Sequence, residues 1–325
     1  MLVGVLAISM AAPYILLSEV EPFAIASWRL LCVSAILFPI AARSLGADWG
    51  ALGGADRLKF LFSGVCYGAH FALFALAFGY TSKESVVVLI GAQPLMGMAV
   101  GRIFLRELVT PSMLIATAIS LAGLTVFVWH DYTFDPTHLL GDCMVLAAGF
   151  LIVIPYAAGR RLRPKMKLSS YLFGLYLLGG ISCLCAALVA GQALWGYHWI
   201  NWYYLGCAVL IPTLIGHSMF HYAVKYVSVF YVNLAVLAEP VIAIVVMLAF
   251  SERFEVFRAS ELTTLQAIGG ALLLLGVGFG LAAARRNQGV GNDQSDKSSG
   301  GAGVDGSGVE LARRHGTGKA ATAKP

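Results

Sequence analysis

Ten long apolar segments, separated by short polar connections, dominate this chain. They cover residues 2–18, 23–43, 59–80, 85–104, 111–129, 138–158, 169–190, 203–224, 227–249 and 263–284. A helix needs about 20 apolar residues to cross a bilayer. A transmembrane barrel would instead show alternating segments of about ten residues. Because most connections are very short, neighbouring segments must form helical hairpins. We therefore predict an all-α integral membrane protein with ten transmembrane helices.

Composition excludes the soluble classes of protein. Of the 325 residues, 59% are apolar and 12% are charged, whereas soluble domains carry about 25% charged residues. No soluble fold has enough interior to bury so many apolar side chains. A soluble enzyme, a disordered regulator and a nucleic-acid binder are excluded, and the lipid bilayer is the expected surrounding. No phosphate-binding, dinucleotide-binding or GxSxG motif occurs, so we expect no cofactor and no ATP-driven step.

The distribution of basic residues predicts the orientation. With a cytoplasmic N-terminus, the outer loops hold only Lys83, Arg253 and Arg258. The inner loops and helix ends hold Arg43, Arg57, Lys59, Arg102, Arg106, Arg160, Arg161, Arg163, Lys165, Lys167 and Lys225. This asymmetry follows the positive-inside rule and predicts a cell (inner) membrane protein with both termini cytoplasmic. The first segment has no basic region before it, which argues against a cleaved signal peptide and leaves open whether Met1 is the true start.

The two halves of the chain resemble each other. Gln93–Pro94 matches Glu239–Pro240 at an offset of 146, and Pro13–Tyr14 matches Pro155–Tyr156 at 142. Because each half has five helices, the second copy must be inverted in the membrane. We predict two repeats, residues 1–129 and 138–284, followed by a disordered cytoplasmic tail over 285–325. Inverted repeats support alternating access to a site near the bilayer midplane.

Four prolines lie inside the predicted spans, in pairs across the two halves. These are Pro13, Pro94, Pro155 and Pro240. Each removes one backbone hydrogen bond and loosens its helix. Ordinary transmembrane proline is the alternative explanation, but the paired positions favour a hinge or cavity role.

Several short motifs resemble the EamA family of the drug/metabolite transporter superfamily. They are Ala26-Ser27-Trp28-Arg29-Leu30-Leu31, His70-Phe71-Ala72, Tyr80-Thr81-Ser82, Arg106-Glu107, Ile215-Gly216-His217-Ser218, Leu237-Ala238-Glu239-Pro240 and Gly269-Gly270-Ala271-Leu272. The resemblance covers about residues 1–284. It implies ten helices, cytoplasmic termini and export of small metabolites such as amino acids or drugs. The chain departs from the family at His221, where related sequences often carry Asn.

Two formal charges lie well inside the spans, Arg29 and Glu239. A charge at the bilayer centre costs roughly 2.5–3.5 kcal/mol on insertion scales, so both side chains should face protein or water. Glu239 is a candidate site for a substrate amine or a coupling proton, with an interhelical hydrogen bond as the structural alternative. Arg29 is either a structural partner or headgroup contact, or a gate or anion contact.

His217 and His221 are four residues apart and share one helix face. A zinc site would need three or four ligands, and the chain has no HExxH pattern, so we predict no metal site. A polar cavity wall and buried packing remain the alternatives. Further candidates for polar groups around a midplane cavity are His70, Tyr14, Tyr67, Gln93, Tyr156, Ser218 and Asn233.

These patterns favour a secondary transporter that exports small metabolites by alternating access. An intramembrane enzyme would need a compact catalytic constellation, whereas the sequence offers scattered histidines and one glutamate. A receptor or scaffold without transport is the third class. The expected partners are a small-molecule substrate, the bilayer and a coupling proton. The sequence leaves the substrate, the direction of transport and the oligomeric state open.

Overall fold

The computed structural model describes residues 1–129, 138–254 and 263–300, without the side chains of residues 83, 84, 87, 88, 128 and 285–300. The chain divides into two compact units, Met1–Ala284 and Arg285–Pro325. Among the described residues all regular structure is helical, with no strand. The all-α prediction is therefore confirmed. The predicted outer-loop residue Arg258 lies outside the described residues.

Fifteen α-helices and one π-helical segment form the described structure. They are α1 (Leu2–Ile8), α2 (Ala11–Ser18), α3 (Pro22–Ala41), α4 (Leu45–Gly50), α5 (Gly54–Ala77), α6 (Lys83–Ile90), α7 (Gln93–Leu105), α8 (Pro111–Val128), α9 (Leu139–Leu162), α10 (Leu168–Val189), α11 (Trp199–Ala208), the π-segment (Val209–His217), α12 (Ser218–Ala223), α13 (Val229–Val236), α14 (Glu239–Ala249) and α15 (Thr264–Gly300). Residues 301–325 of the predicted tail lie outside the described residues, and α15 extends into the tail's first part.

Seven helical stretches in the described part of the chain are long and apolar enough to cross a membrane. They are Pro22–Ala41, Gly54–Ala77, Leu139–Leu162, Leu168–Val189, Trp199–Ala223, Val229–Ala249 and Thr264–Ala284. Shorter apolar helices cover Leu2–Ser18 and Pro111–Phe127. The protein is thus an integral membrane protein with many spans. An exposed apolar surface that includes Leu58, Ile103 and Leu275 is consistent with lipid contact.

Several predicted spans are interrupted. Span 2–18 breaks between α1 and α2, span 85–104 between α6 and α7, and span 227–249 between α13 and α14. Span 203–224 contains the π-segment around Pro212. Pro94 and Pro240 each stand in the first turn after a break, where a missing backbone N–H costs least. Pro155 instead lies inside the continuous helix α9.

One end of the bundle, which we call the basic face, carries the connections 42–53 (which includes α4), 106–110, 163–167 and 224–228. Lys165 Nζ lies 2.6 Å from Asp56 Oδ2, and the Lys167 N–H donates to Asp48 Oδ2 at 3.3 Å. The opposite end, the tryptophan face, is built around Trp28, Trp195 and Trp202, whose rings meet edge-on or tilted at 4.5–5.7 Å. The predicted cluster of basic residues and these tryptophans therefore lie at opposite ends.

Glycine allows the closest helix contacts. At Gly68 in α5, an added Cβ would lie 2.8 Å from the Cα of Gly179 in α10. At Gly64, one turn earlier, it would lie 2.6 Å from the Leu178 Cβ. Residues with side chains at these positions would force the two helices apart.

Replacing Gly68 with alanine is therefore expected to destabilise the protein by about 1–3 kcal/mol, the usual cost of overpacking. Thermal unfolding of the purified full chain in detergent measures this as a lower melting temperature. The matched control is Gly206→Ala in α11, where an added Cβ would meet nothing within 4 Å. Equal melting temperatures for the two variants would contradict the close-packing assignment.

Candidate functional site

A small cavity lies in the middle of the bundle. We call it the central cavity. Its lining comes from α1, α2, α3, α5, α6, α7, α9, the π-segment, α13 and α14, so both halves of the chain contribute. The lining residues are Ile8, Ala11, Arg29, His70, Phe71, Phe74, Ile90, Gln93, Ile152, Tyr156, His217, Val236 and Glu239.

Arg29 is held inside this cavity by one hydrogen bond and one aromatic ring. The side chain is 3% exposed, and its Nε donates to Thr213 Oγ1 at 2.9 Å. The guanidinium carbon lies 4.7 Å from the centroid of the Phe71 ring, which is within range of a cation–π interaction. These contacts fix the guanidinium while leaving it on the cavity wall, so it can meet an anionic group.

Thr213, which holds Arg29, lies within the π-segment. Its Oγ1 donates to the Ala208 carbonyl at 2.7 Å, and its own carbonyl accepts from Tyr176 Oη at 2.9 Å. Irregular helical turns of this kind occur often at functional sites. Thr213 was not predicted as a site residue. The neighbouring Pro212 within an apolar span was the signal that could have directed attention to it.

Glu239 and Gln93 occupy equivalent places in the two halves. Each is the first residue of a helix that restarts after a break, α14 and α7 respectively, and each lines the central cavity. Among the described residues Glu239 forms no ion pair, although Arg29 lies close enough to interact electrostatically. A carboxylate at a helix N-terminus is favoured by the helix dipole. Its oxygens remain available to a solute or a proton.

Two histidines complete the polar part of the wall. His70 Nδ1 donates to the Ala148 carbonyl at 2.9 Å, which fixes its tautomer and leaves Nε2 free of that bond. The His70 and His217 ring centroids are 6.3 Å apart. Both side chains are buried at the cavity wall. They can serve as hydrogen-bonding groups for a bound solute.

An apolar chamber adjoins the central cavity. Phe74, Ile90 and Glu239 line both spaces. The other chamber residues are apolar: Ala12, Leu16, Phe78, Val86, Pro240, Ala243, Ile244 and Met247. Leu16 and Phe78 lie near the ends of α2 and α5 at the tryptophan face, so the chamber extends from Glu239 towards that face.

A second polar group lies on the basic-face side of the cavity, and we call it the His221 cluster. The His221 ring meets the rings of Tyr156, Tyr67 and Tyr171 at 4.9, 5.3 and 5.7 Å. Tyr176 Oη lies 3.0 Å from Ser218 Oγ at its edge. Tyr156 belongs to both the cluster and the central cavity, so the two are adjacent.

The structure thus separates the predicted candidates into three groups. Arg29, His70, Gln93, Tyr156, His217 and Glu239 line the central cavity. Tyr67, Ser218 and His221 belong to the adjoining cluster. Tyr14 and Asn233 line neither cavity: α2 packs Tyr14 towards α11, and Asn233 Nδ2 donates to the Val229 carbonyl at 2.8 Å. No group of three His, Cys, Asp or Glu side chains suited to a metal ion occurs among the described residues.

At the basic face, one arginine of α9 joins two connecting segments, in an arrangement that we call the Arg160 latch. Arg160 Nη1 donates to the carbonyls of Lys225 at 2.8 Å and Val224 at 3.3 Å, and its Nε lies 3.7 Å from Glu107 Oε1. Arg161 adds a hydrogen bond to the Phe104 carbonyl. Burial raises the pKa of Glu107, and Arg160 offsets only part of that effect. The latch therefore holds these segments together without a strong ion pair.

Bundles of broken apolar helices around a central polar cavity are typical of membrane transport proteins. Residues 1–129 and 139–281 match the EamA-like transporter family. The chain belongs to this family, within the drug/metabolite transporter superfamily, as its motifs predicted.

One solved crystal structure is similar with a TM-score of 0.70 and 17% sequence identity, covering 88% of this chain and 96% of its own, and this likeness shows the fold alone. No curated protein matches the chain.

Proposed function

We propose that this chain is a secondary transporter that exports small metabolites, such as amino acids or drugs, by alternating access. The observation that carries the proposal is the central cavity, which both halves of the chain line and which holds Arg29 and Glu239. A buried cavity with sparse charge, enclosed by interrupted helices, is the arrangement expected of a transporter site near the bilayer midplane.

The proposed architecture is ten transmembrane helices in two inverted five-helix repeats. The helix breaks before Gln93 and Glu239 support it, because they fall at positions that match in the two halves. The basic face is proposed to be cytoplasmic, together with both termini, in the cell (inner) membrane. In this arrangement the Arg160 latch closes the cytoplasmic side, and the apolar chamber leads towards the outside.

The cavity also suggests the kind of solute. The Arg29 guanidinium suits an anionic group, and the Glu239 carboxylate suits a protonated amine or exchanges with a coupling proton. The apolar chamber beside Glu239 offers an apolar wall to an apolar side group. We propose a small solute with charged groups at one end and an apolar part at the other.

Flux measurements on the reconstituted full chain test the proposal. Proteoliposomes are loaded with a panel of amino acids, their analogues and cationic drugs, under an imposed proton gradient. We expect gradient-dependent efflux of at least one panel member and resistance to it in overexpressing cells. Absence of flux for every panel member, with a working control transporter, would contradict the transporter assignment.

A further inference from the structure

His221 is buried with both of its ring nitrogens unpaired. The side chain is 0% exposed, and neither of its ring nitrogens has a hydrogen-bond partner. Leaving a buried polar group unpaired costs about 1–3 kcal/mol. An imidazole brings one donor and one acceptor in its neutral form. A packing residue of the same size, such as phenylalanine, would avoid this cost.

Two nearby hydroxyl groups do not relieve it, because they serve other partners. Tyr171 Oη donates to the Pro155 carbonyl at 2.8 Å, and Tyr176 Oη bonds to Thr213 and Ser218. The rings of Tyr67, Tyr156 and Tyr171 contact the imidazole, and neither of its nitrogens is hydrogen-bonded to a hydroxyl group. His217 Nδ1, one turn away on the same face, also lacks a partner. The region is lined by unused polar atoms and aromatic faces, which is the composition of a small-solute site.

The His221 cluster lies between the central cavity and the basic face. Tyr156 joins it to the central cavity, and α12, which carries His221, ends directly before the loop whose carbonyls hold Arg160. Release of the Arg160 latch would free this loop and the end of α12. The cluster then lies between the central cavity and an opening at the basic face.

We propose that the His221 cluster is a second binding position on the transport path, buried and closed in this conformation and open when the Arg160 latch releases. The His221 nitrogens then bind the hydrogen-bonding groups of the solute, and the surrounding tyrosine rings pack against its apolar part. This inference rests on the proposed function, and its first test below requires no transported solute.

The first test measures access to His221 with diethylpyrocarbonate, which modifies accessible neutral imidazoles. The full chain is treated in detergent, and modification is followed by mass spectrometry for each histidine, with the exposed His198 as internal reference. We expect His221 to react at least tenfold faster in Arg160→Gln than in the wild type. Arg43→Gln makes the same charge change at an exposed residue of the same face and should leave the rate unchanged. Equal rates for His221 in all three proteins would overturn the proposal.

The second test measures binding from each side with His221→Phe, which keeps a ring and removes both nitrogens. For any panel solute that shows flux, we expect the KM from the basic face to rise about tenfold and the KM from the tryptophan face to change less than twofold. Equal changes in KM from the two faces would show that His221 has only a structural role. Unchanged KM values from both faces would exclude binding by His221. A melting temperature at or above that of the wild type would show that the variant folds. If no panel solute shows flux, the proposed transport function fails. The diethylpyrocarbonate test still shows whether the His221 cluster becomes accessible when the Arg160 latch is removed.

Discussion

Replacing Glu239 with glutamine is expected to lower transport about 10- to 100-fold and to flatten its dependence on pH. Hydrogen bonds to a charged group contribute about 1.5–3 kcal/mol, and each 1.4 kcal/mol corresponds to a factor of ten. Glutamine has nearly the same shape as glutamate but neither attracts an ammonium group nor exchanges a proton. Since Glu239 has no ion-pair partner among the described residues, little else should change.

Flux from proteoliposomes at a series of pH values measures both effects. Glu21→Gln is the matched control, because Glu21 is an exposed carboxyl at the tryptophan face, outside both cavities. Its flux and pH profile should equal those of the wild type. If Glu239→Gln retained both the flux and the pH profile of the wild type, Glu239 would have no part in binding or coupling.

The second large effect is expected at Arg29. Arg29→Gln removes the cationic group from the central cavity and should lower the flux of solutes with an anionic group about 100-fold, the upper end of the range for a charged hydrogen bond. Solutes without an anionic group should lose much less. A uniform loss across the panel, with a lowered melting temperature, would instead indicate that Arg29 stabilises the fold.

Thr213 allows the position of Arg29 to be tested separately from its charge. Thr213→Val keeps the shape of the side chain and removes the hydroxyl that accepts from Arg29 Nε. We expect about a tenfold loss of flux, because the guanidinium remains but is less well oriented. Thr125→Val is the control, since the Thr125 hydroxyl donates only to the Leu121 carbonyl on the exposed side of α8. Wild-type flux in Thr213→Val would exclude a positioning role.

The helices and the site differ in how far the sequence predicts them. Apolar segments are local patterns that the bilayer selects by length, so the boundaries of α3, α5, α9 and α10 were close to those predicted. The breaks after Ile8, Ile90 and Val236 and the π-turns around Thr213 were not predicted. A helix break inside an apolar segment leaves the hydropathy unchanged, and only neighbouring helices decide whether the freed carbonyls find partners.

The candidate residues show the same distinction. Arg29 and Glu239 were identified because charge within a span is costly and rare, and both line the central cavity. Tyr14 and Asn233 were equally reasonable as polar residues within spans, yet they line neither cavity. Phe71 and Thr213 carried no comparable signal, although they hold Arg29 in place. Which way a side chain points depends on helix rotation, and that is set by packing such as the Gly68–Gly179 contact.

The sequence by itself determined that this protein lies in a membrane, which family it belongs to and which two charges are exceptional. These properties follow from composition and local pattern, since transfer to the bilayer depends on each segment separately. Only the tertiary structure decided that Arg29 and Glu239 share one cavity, that Thr213 orients the guanidinium, and that His221 is buried without a partner. Those facts depend on contacts between residues as far apart as Arg29 and Thr213, which arise only when the helices pack.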